Sequence, residues 1–515
     1  MPKYCDTHTH LDFHQFDVDR EETIQRAFST DVVRIINIGV DLDSSIRSIE
    51  LAERYPQIWC AVGIHPHDVQ NQPTGWLNTL EKLAYHPKVV AIGEIGLDFY
   101  RDISPRESQI EAFARQIMLA QKLELPMIIH IRDAHKQARQ IMENIGYYYG
   151  VFHAYSGDED FLEWALDKNM NIGFGGPITF KNYRKHHLIK KTPIEKIFLE
   201  TDCPYLSPHP YRGKRNEPSL IPTIAEKVSE LKNIPMERVA KATTENAVRL
   251  FGFPSPYMKM GKKYLGQNFL TNSGVAQKIA NLAGTGKLAL EIGAGKGIIT
   301  NILTPNFDRV IAVELDEYIA LQADEKIDSP NCFVLQQDIL KLNLVRLSKY
   351  YQTRITLVGN IPYSITTPIL FWALKHIDGV KSAIFTIQRE VGERICAQPG
   401  TKDYGIPTVI LNRYFEINKE FTISPGSFFP VPQITSIVVK LSPRAEPIIP
   451  ELDHDKFSNL VHCAFAKRRK KLISNLQDVS EHIDWKKILQ DLGYGENVRA
   501  EQISVQAFCR LASHL

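Results

Sequence analysis

The sequence has few cysteines, and none of them form a closely spaced pair. Seven cysteines are scattered over 515 residues without a Cys-x-x-Cys motif. An odd, dispersed set argues against a disulfide framework and against a thiolate zinc site. The sequence also lacks an apolar run of about 18 residues, so no membrane-spanning helix is expected. Its first residues, MPKYCDTHTHLDF, form neither a signal nor a transit pattern. We therefore expect a cytoplasmic protein without a membrane partner.

Length and charge both indicate more than one domain. A chain of 515 residues exceeds one ordinary hydrophobic core. The net charge of +2 hides an asymmetry, because the part before residue 257 is slightly acidic and the part after it is basic. Histidine is skewed the other way, with twelve of the seventeen before residue 257. Since imidazole is the commonest metal ligand, this skew indicates metal chemistry in the first half.

The clearest break in the chain is the segment FGFPSPY at 251–257. Two prolines and a glycine there follow a helical pattern and precede a basic segment. We therefore predict a first domain over 1–255, a second over 256–444 and a helical third over 445–515.

The first half alternates short β-branched runs with helical patterns. Strand candidates are 4–10, 34–40, 58–65, 89–95, 127–131, 151–153, 170–174 and 197–201. Strand and helix alternating eight times predict a (β/α)₈ TIM barrel, whose active site lies at the carboxyl ends of the strands.

Histidines and carboxylates stand at five of these strand ends. The first strand ends in His8-Thr-His10, and alternation along a strand points both imidazoles to one side. The other ligand types at strand ends are Glu94, His130, His153 and Asp202. A single His-x-His motif is more often without consequence, but six such residues at successive strand ends make coincidence unconvincing.

Four imidazoles and two carboxylates suit two divalent ions, such as Mg²⁺, Mn²⁺ or Zn²⁺, with Glu94 bridging them. A two-ion site supports phosphodiester hydrolysis, and Glu94 and Asp202 are its catalytic candidates. His65, in GIHPH, is predicted at the same mouth as a substrate contact, although a structural turn explains it equally well. Arg132 could bind phosphate bidentately or cap a helix.

The sequences of these motifs resemble those of TatD-like metal-dependent deoxyribonucleases. The matching segments are DTHTHLD, GIHPH, GEIGLDFY, HIRDA, FHAYSG and ETDCPYL, in that order, over nearly all of 1–255. The resemblance implies hydrolytic removal of nucleotides from DNA. It also implies that His8, His10, Glu94, His130, His153 and Asp202 are the metal ligands. One departure, HAYSG instead of Cys-Phe or Ala-Phe before Ser-Gly, leaves His153 unchanged.

The second half begins with a glycine-rich turn after a strand. In LEIGAGKG, Gly293 and its neighbours let a cofactor approach the backbone, and Glu314 and Asp338 end the next two strands. Glu314 is suited to two ribose hydroxyls and Asp338 to an adenine amino group. The glycine spacing disfavours a pyrophosphate-binding turn. Together with strands ITLVGN and AIFTIQ, the pattern predicts a Rossmann-like fold that binds S-adenosylmethionine.

The segment Asn360-Ile-Pro-Tyr363 follows the strand ITLVG. An exocyclic adenine amine is a poor nucleophile, so acceptors must be aimed at its hydrogens. The side-chain carbonyl of Asn360 and the main-chain carbonyl of Ile361 can accept both N–H bonds. Tyr363 can stack on an extruded base. After a set of cofactor-binding strands, this motif favours adenine N6 methylation over a plain turn.

This half resembles the 16S ribosomal RNA adenine dimethyltransferases over most of 259–475. KKYLGQNFL at 262–270 implies cofactor contacts by Asn268 and Leu270, together with Gly293, Glu314, Asp338 and Asn360. SPGSFFPVPQITSIVVKL at 424–441 implies that Phe428 packs on the target base. Three positions depart from the usual residues of this family: Gln433 stands in place of Lys, Thr435 in place of Asp and Ala294 in place of Pro. None of these changes removes a group that the methyl transfer needs.

Clustered basic residues indicate an RNA partner for this half. Five consecutive cations run from Lys467 to Lys471, and three more are Lys259, Lys262 and Lys263. Such a run by itself is usually a solvated helix face, but beside the adenine motif it predicts salt-sensitive binding to 16S rRNA in the small ribosomal subunit.

The chain is therefore expected to be bifunctional, with DNA as the partner of its first half. Two alternatives remain at this point. The hydrolase could act on an ester or amide, because barrels of this kind host several chemistries. One half could also be a ribosome-assembly module without catalysis.

Overall fold

A computed structural model describes residues 2–257 and 268–515. The chain folds as two compact units, and each is described by itself. Among the described residues, no helix is both long and apolar enough to cross a bilayer.

The first unit is built on an eight-stranded parallel sheet. Each strand pairs with the next one along the chain, in the order β1 to β8. Backbone bonds from His10 N to Cys203 O and from Asp202 N to His8 O, both 2.9 Å, close the ring behind the last strand. The predicted TIM barrel is confirmed. The strands are β1 (Tyr4–Thr9), β2 (Val32–Ile38), β3 (Ile58–Val62), β4 (Val89–Asp98), β5 (Met127–Arg132), β6 (Gly150–Phe152), β7 (Asn171–Phe174) and β8 (Ile197–Leu199).

Helices follow the strands and cover the outside of the barrel. Side-chain caps set some of their starts: Asp41 accepts from Ser44 N at 2.6 Å, and Asp158 accepts from Phe161 N at 2.9 Å. The helices are α1 (Arg20–Ser29), α2 (Leu42–Arg54), α3 (Trp76–Leu83), α4 (Arg106–Leu123), α5 (His135–Ile145), α6 (Glu159–Asp167), α7 (His186–Lys191), α8 (Ile221–Lys232) and α9 (Met236–Phe251).

The segment predicted as a linker belongs in part to the barrel. Phe253 is 1% exposed, and its ring lies 5.0 Å from that of buried Trp59. The Tyr257 hydroxyl donates to Lys3 O at 3.0 Å. The predicted break at 251–257 is thus packed against the barrel through its aromatic side chains.

The second unit contains a seven-stranded sheet in the order β12-β11-β10-β13-β14-β17-β15. The strands next to β10 are parallel, and β17 is antiparallel to β14 and β15. The predicted Rossmann-like fold is confirmed. The strands of this unit are β9 (Phe269–Leu270), β10 (Gly286–Ile292), β11 (Phe307–Glu314), β12 (Cys332–Gln336), β13 (Ile355–Asn360), β14 (Val380–Gln388), β15 (Phe415–Ile423), β16 (Phe428–Phe429) and β17 (Ser436–Pro443).

Helices pack on both sides of this sheet, and further helices form the carboxyl-terminal part of the unit. They are α10 (Ser273–Ala283), α11 (Thr300–Leu303), α12 (Glu317–Lys326), α13 (Leu344–Tyr351), α14 (Thr366–Lys375), α15 (Arg389–Ile395), α16 (Ile406–Tyr414), α17 (His454–Phe465), α18 (Leu472–Leu476), α19 (Trp485–Asp491) and α20 (Val505–Ala512). The apolar faces of α17, α18 and α20 pack together around Phe457, Leu472 and Phe508.

Candidate active sites

The barrel gathers the six predicted ligand residues at the carboxyl ends of its strands. β1 carries His8 and is followed by His10, β4 carries Glu94, and β5 carries His130. His153 directly follows β6, and Asp202 lies three residues beyond β8. All but His130 and Asp202 are buried side chains, so the cluster lies at the floor of the barrel mouth.

Glu94 lies between two groups of imidazoles. Its Oε2 is 3.3 Å from His8 Nε2 and 3.8 Å from His10 Nε2. Asp202 Oδ1 completes this first group, 3.4 Å from His10 Nε2. Glu94 Oε1 faces the second group, 3.0 Å from His130 Nδ1 and 3.1 Å from His153 Nε2. Each oxygen of one carboxylate thus meets a separate set of ligand atoms.

An acceptor oxygen lies behind the ring of three of these imidazoles. His10 Nδ1 donates to Ile38 O at 3.1 Å, which leaves the lone pair of Nε2 facing the cluster. The far nitrogen of His130 is 3.4 Å from an Asp98 oxygen, and that of His153 is 3.3 Å from Glu200 Oε1. A carboxylate behind a metal-binding imidazole fixes its tautomer and raises its basicity.

The donor set fits a pair of divalent cations. His8 Nε2 and His10 Nε2 lie only 3.2 Å apart, so the two ring nitrogens converge on one point where they could share a cation. Burial alone would raise the pKa of Glu94, but the neighbouring imidazoles of His153, His65 and His8 hold it well below its ordinary value. The carboxylate is therefore ionised. Nitrogen and carboxylate ligands together suit borderline ions.

His65 reaches the same cluster from the loop after β3. Its Nε2 is 3.6 Å from Glu94 Oε1, which makes it a third imidazole beside the second group. Its Nδ1, however, accepts from His67 N at 3.2 Å. A neutral ring that accepts at Nδ1 carries its proton on Nε2, so His65 presents a donor rather than a lone pair. Burial lowers the pKa of His65 well below its ordinary value, which keeps the ring neutral.

Asp98 and Glu200 are residues of this site that the sequence motifs did not single out. Asp98, 1% exposed, accepts from His67 Nε2 at 2.8 Å and from Arg101 N at 2.8 Å. The Ala154 amide donates to Glu200, which is also 1% exposed. Glu200 directly follows β8 and stands two residues before Asp202, so its place at the end of a barrel strand was a signal that could have found it.

Two glycines permit the tight approach of β4 to β5, since a Cβ on Gly93 would lie 2.9 Å from Ile128 O. Gly96 has φ +147°, and a Cβ on it would lie 1.8 Å from His130 O. A side chain at this position would push β5 away from Glu94. The GEIG motif is thus explained by packing at the site.

The cluster opens into a cavity of about 680 Å³. Arg132 and Arg101 line it together with Phe13 and Tyr205. The Arg132 guanidinium lies 3.9 Å from the ring centroid of Tyr100, a stacked position that leaves its N–H groups at the rim. The mouth therefore offers positive charge and flat apolar surface beside the candidate metal centre.

The second unit has a pocket at the carboxyl ends of β10, β11 and β13. Its lining residues are Asn268, Phe269, Gly293, Gly295, Glu314, Asn360, Ile361, Pro362 and Tyr363. Gly293 and Gly295 have φ +71° and +55°, and a Cβ on Gly295 would lie 3.0 Å from the Phe269 ring. The glycines thus keep side chains out of the pocket wall, so that a cofactor can approach the backbone closely.

Glu314 and Asn360 face this pocket in fixed orientations. Glu314, 3% exposed, accepts from Gly295 N at 3.2 Å and from Leu315 N at 2.9 Å. Burial raises the pKa of its carboxyl above the ordinary value despite these bonds. Asn360 Nδ2 donates to Asn268 O at 2.8 Å, so its Oδ1 is the atom left to accept from a substrate. The Tyr363 hydroxyl lies 2.8 Å from Ser436 Oγ.

Three predicted residues lie outside this pocket lining. Asp338 follows β12 and accepts from Leu340 N at 3.0 Å, which caps a short helical turn. Leu270 and Phe428 face each other in the antiparallel pair β9 and β16 and are 7% and 2% exposed. Phe428 therefore packs in the core of this unit, while its neighbour Phe429 is 67% exposed. The strand alternation at β16 turns the two rings to opposite sides.

The basic run after α17 is a turn rather than a helix face. Lys467 Nζ is 3.0 Å from Asp478, and Arg468 donates to Lys402 O at 2.8 Å. Arg469, Lys470 and Lys471 are exposed. The other predicted cations, Lys259, Lys262 and Lys263, and most of KKYLGQNFL lie outside the described residues.

These two sites define a metal-dependent barrel hydrolase and a Rossmann-like methyltransferase in one chain. The chain belongs to the TatD-related DNase family through residues 5–252 and to the ribosomal RNA adenine dimethylase family through residues 258–515. The expected bifunctional organisation is thereby confirmed at the level of families, one metal-dependent and the other S-adenosylmethionine-dependent.

Known proteins resemble each half over nearly their full lengths. The uncharacterized metal-dependent hydrolase YabD of Bacillus subtilis is 43% identical over 252 residues, which are 48% of this chain and 98% of the relative. Ribosomal RNA small subunit methyltransferase A of Syntrophus aciditrophicus is 39% identical over 49% of this chain and 93% of its own length. The 3'-5' ssDNA/RNA exonuclease TatD of Salmonella typhimurium is 33% identical over 46% of this chain and 94% of its own length.

Proposed function

We propose that the first half hydrolyses phosphodiester bonds of DNA at a centre of two divalent ions. The observation that carries this proposal is the position of Glu94, whose two oxygens face separate sets of imidazoles. His8, His10 and Asp202 would hold one ion and His130 and His153 the other. Bound there, Mg²⁺, Mn²⁺ or Zn²⁺ would polarise the phosphate and make water nucleophilic at neutral pH.

Residues around the cluster would bind and orient the substrate. Arg101 and Arg132 at the rim carry the charge that a phosphate chain requires. His65 holds its proton at Nε2 and can donate to a phosphate oxygen. The rings of Phe13 and Tyr205, which line the mouth, could stack on bases and so favour nucleotides over the alternative of a plain ester or amide. The name of the Salmonella relative, an exonuclease for single-stranded DNA and RNA, supports the same substrate class.

The test is release of nucleotides from single-stranded DNA by the full-length protein with added Mn²⁺. We expect Glu94→Ala to lower this release by about 100-fold or more and to remove bound metal, because both ions lose a shared ligand. Glu107→Ala, an exposed glutamate on α4, is the matched control. Nucleotide release that survives Glu94→Ala would refute the site, and release of an acid from esters but not of nucleotides would favour the alternative.

We propose that the second half transfers methyl groups from S-adenosylmethionine to N6 of adenines in 16S rRNA, giving N6,N6-dimethyladenine. The orientation of Asn360 carries this proposal, because its Nδ2 is engaged by Asn268 O and its Oδ1 remains to accept the amine N–H. The Ile361 carbonyl would accept the second N–H and aim the nitrogen lone pair. Tyr363 would stack on the extruded base. The bound cofactor supplies the electrophilic methyl group, and Gly293, Glu314, Asp338, Asn268 and Leu270 would form or support its pocket.

Methyl transfer to unmodified small ribosomal subunits tests this role. We expect Asn360→Ala to lower the transfer by about 100-fold, the usual effect of removing one aligned polar group at a reacting centre. Asn281→Ala, an exposed asparagine on α10, is the control. A half that binds subunits but transfers no methyl group in the wild-type chain would instead be an assembly module. The division proposed for these activities is 1–255, 256–444 and 445–515.

A further inference from the structure

A second cavity lies beside Asp202, apart from the wide mouth of the barrel. It measures about 250 Å³, and Ala154, Tyr155, Phe174, Ile178, Tyr183 and Leu206 form much of its wall. Asp202 also lines the wide mouth, so this residue stands where the two cavities adjoin. Asp202 Oδ1 is in turn only 3.4 Å from His10 Nε2. A ligand in the small cavity would therefore reach the candidate metal centre within a few bonds.

The wall of this cavity is aromatic and rigid. Phe174 is 1% exposed and Tyr155 6%, and their rings meet edge to face at 6.4 Å. The Tyr155 hydroxyl is bound to Asp158 O at 2.8 Å, and Ser156 Oγ donates to Ile131 O at 2.8 Å. These two hydroxyl groups are thus engaged by the protein itself, and Lys185, which also lines the cavity, donates from Nζ to Gly157 O at 3.0 Å. What remains is a largely apolar slot with fixed sides, which would hold a flat ring by stacking rather than by hydrogen bonds to its edge.

Backbone strain is concentrated around the same cavity. Ala154, Asp202 and Leu206 all line it, and all three have left-handed backbone, with φ of +42°, +57° and +57°. Residues other than glycine adopt this conformation at a cost of about 1 to 3 kcal/mol each, and such residues gather at ligand sites. Their coincidence at one small cavity indicates a built binding site rather than a packing gap.

We propose that this cavity receives the base of the nucleotide whose phosphate lies at the metal centre. The inference rests on the proposed phosphodiesterase function and adds a subsite to it. A slot of about 250 Å³ is smaller than ordinary drug-sized pockets and suits one planar ring system. The remaining strand would leave through the wide mouth, past Arg101 and Arg132. Because stacking tolerates every base, the four nucleotides should bind within about threefold of one another.

Calorimetric titration of the full-length protein with Mn²⁺ present tests the subsite. The probes are inorganic phosphate and the 5′- and 3′-monophosphates of the four deoxynucleosides. One of the two nucleotide series should bind at least about tenfold more tightly than phosphate, since stacking of a base contributes about 1 to 3 kcal/mol. Equal affinity of phosphate and both series would overturn the proposal.

Leu206→Trp places a large ring at the entrance of the cavity, where Leu206 is 44% exposed and the fold should tolerate it. We expect nucleotide affinity to fall to that of phosphate, with phosphate affinity unchanged. Ile178→Phe fills the cavity from the wall and should act in the same direction. Tyr211→Trp, at an exposed residue outside both cavity linings, is the control and should bind like the wild type.

The outcomes separate the subsite from the function on which it rests. A Leu206→Trp protein that binds nucleotides as tightly as the wild type contradicts the subsite, even if DNA is still degraded. Equal losses in Leu206→Trp and Tyr211→Trp contradict it as well. A wild-type protein that releases no nucleotides from single-stranded DNA contradicts the phosphodiesterase function itself.

Discussion

At the scale of single residues, carboxylates that lie behind two imidazoles of the barrel influence their tautomer and orientation. Glu200 Oε1 is 3.3 Å from His153 Nδ1, on the far side of the ring from Glu94. Asp98 has the same relation to His130. These acids need not touch substrate to matter, because they decide which ring nitrogen presents its lone pair.

Glu200→Gln should therefore weaken metal binding without removing a ligand. The amide keeps the shape of the side chain but loses its charge, and such changes lower metal affinity about 10- to 100-fold. Mn²⁺ affinity of the full-length protein, measured by calorimetry, checks this. Glu195→Gln, an exposed neighbour, should bind metal normally. Unchanged affinity in Glu200→Gln would mean that His153 is oriented by packing alone.

Glu291 gives the second unit a pH-dependent stability. It is 2% exposed in β10, where the Thr300 hydroxyl donates to it, and burial raises the pKa of its carboxyl to about 8. Unfolded glutamate titrates near 4.3, so between about pH 4.3 and 8 the folded state holds a proton that the unfolded state has lost. The stabilisation is complete below pH 4.3 and is lost as the pH rises through 8.

We expect Glu291→Gln to remove this dependence of stability on pH. At pH 8 to 9 the variant should be more stable than the wild type by on the order of a few kcal/mol, and the gap should close toward pH 5. Denaturant unfolding of the full chain, followed over pH 5 to 9, measures the difference. Glu325→Gln, exposed on α12, should follow the wild-type curve. Parallel curves for Glu291→Gln and the wild type would contradict a protonated Glu291.

The sequence sufficed for the ligand types at the site but not for side-chain direction. His8, His10, Glu94, His130, His153 and Asp202 were predicted together because parallel strands bring their carboxyl ends to one edge. The burial of Phe428 was not foreseeable in the same way. A two-residue strand decides which of two adjacent phenylalanines faces the core, and no periodicity can be read from two residues.

At the scale of elements, buried parallel strands were predictable and exposed antiparallel ones were not. The barrel strands are continuous apolar runs, which are distinctive in a sequence. β15 reads FEINKEFTI, with exposed charged residues through its middle, and it pairs only with β17. Such a polar edge strand has the composition of a loop, so its existence depends on the partner strand rather than on its own residues.

The basic turn between α17 and α18 should contribute to RNA binding through only part of its charges. Lys467 and Arg468 are held by contacts within the protein, whereas Arg469, Lys470 and Lys471 are exposed. Replacing these three by alanine should weaken RNA binding and lower the slope of log affinity against log salt by about 2. Filter binding at several KCl concentrations measures this slope.

The double variant Lys486→Ala/Lys487→Ala removes exposed charge from α19 and serves as the control for that measurement. A salt slope that is unchanged in the triple variant, or reduced equally in the control, would mean that the turn contributes only general charge.

At the scale of the whole molecule, the two candidate sites are built from separate sets of residues in separate units. The candidate metal ligands all lie between residues 8 and 202, and the described part of the proposed methyltransfer pocket consists of residues 268–363. Each unit has its own sheet and its own hydrophobic core. Among the residues that the structure describes, the lining of each site comes from one unit alone.

Reciprocal variants of the full chain should therefore separate the activities. Glu94→Ala should retain methyl transfer within about twofold, and Asn360→Ala should retain nucleotide release to the same extent, since sites that share no residues usually behave additively. Both assays are run on one preparation of each protein. A loss of methyl transfer in Glu94→Ala, with the thermal unfolding of the second unit unchanged, would reveal coupling between the units.

The hydrogen bond from Asn360 to the Asn268 carbonyl limits which side chains can replace asparagine at position 360 without loss of activity. Aspartate has nearly the same shape, but it would place a negative oxygen 2.8 Å from a carbonyl oxygen and lose the Nδ2 donor. Glutamine has the right groups on a longer arm, which would move its acceptor away from the Ile361 carbonyl. A serine hydroxyl both donates and accepts, but through a single atom, whereas the amide of asparagine donates from Nδ2 and accepts at Oδ1. Even chemically conservative replacements of Asn360 are therefore expected to lower the activity.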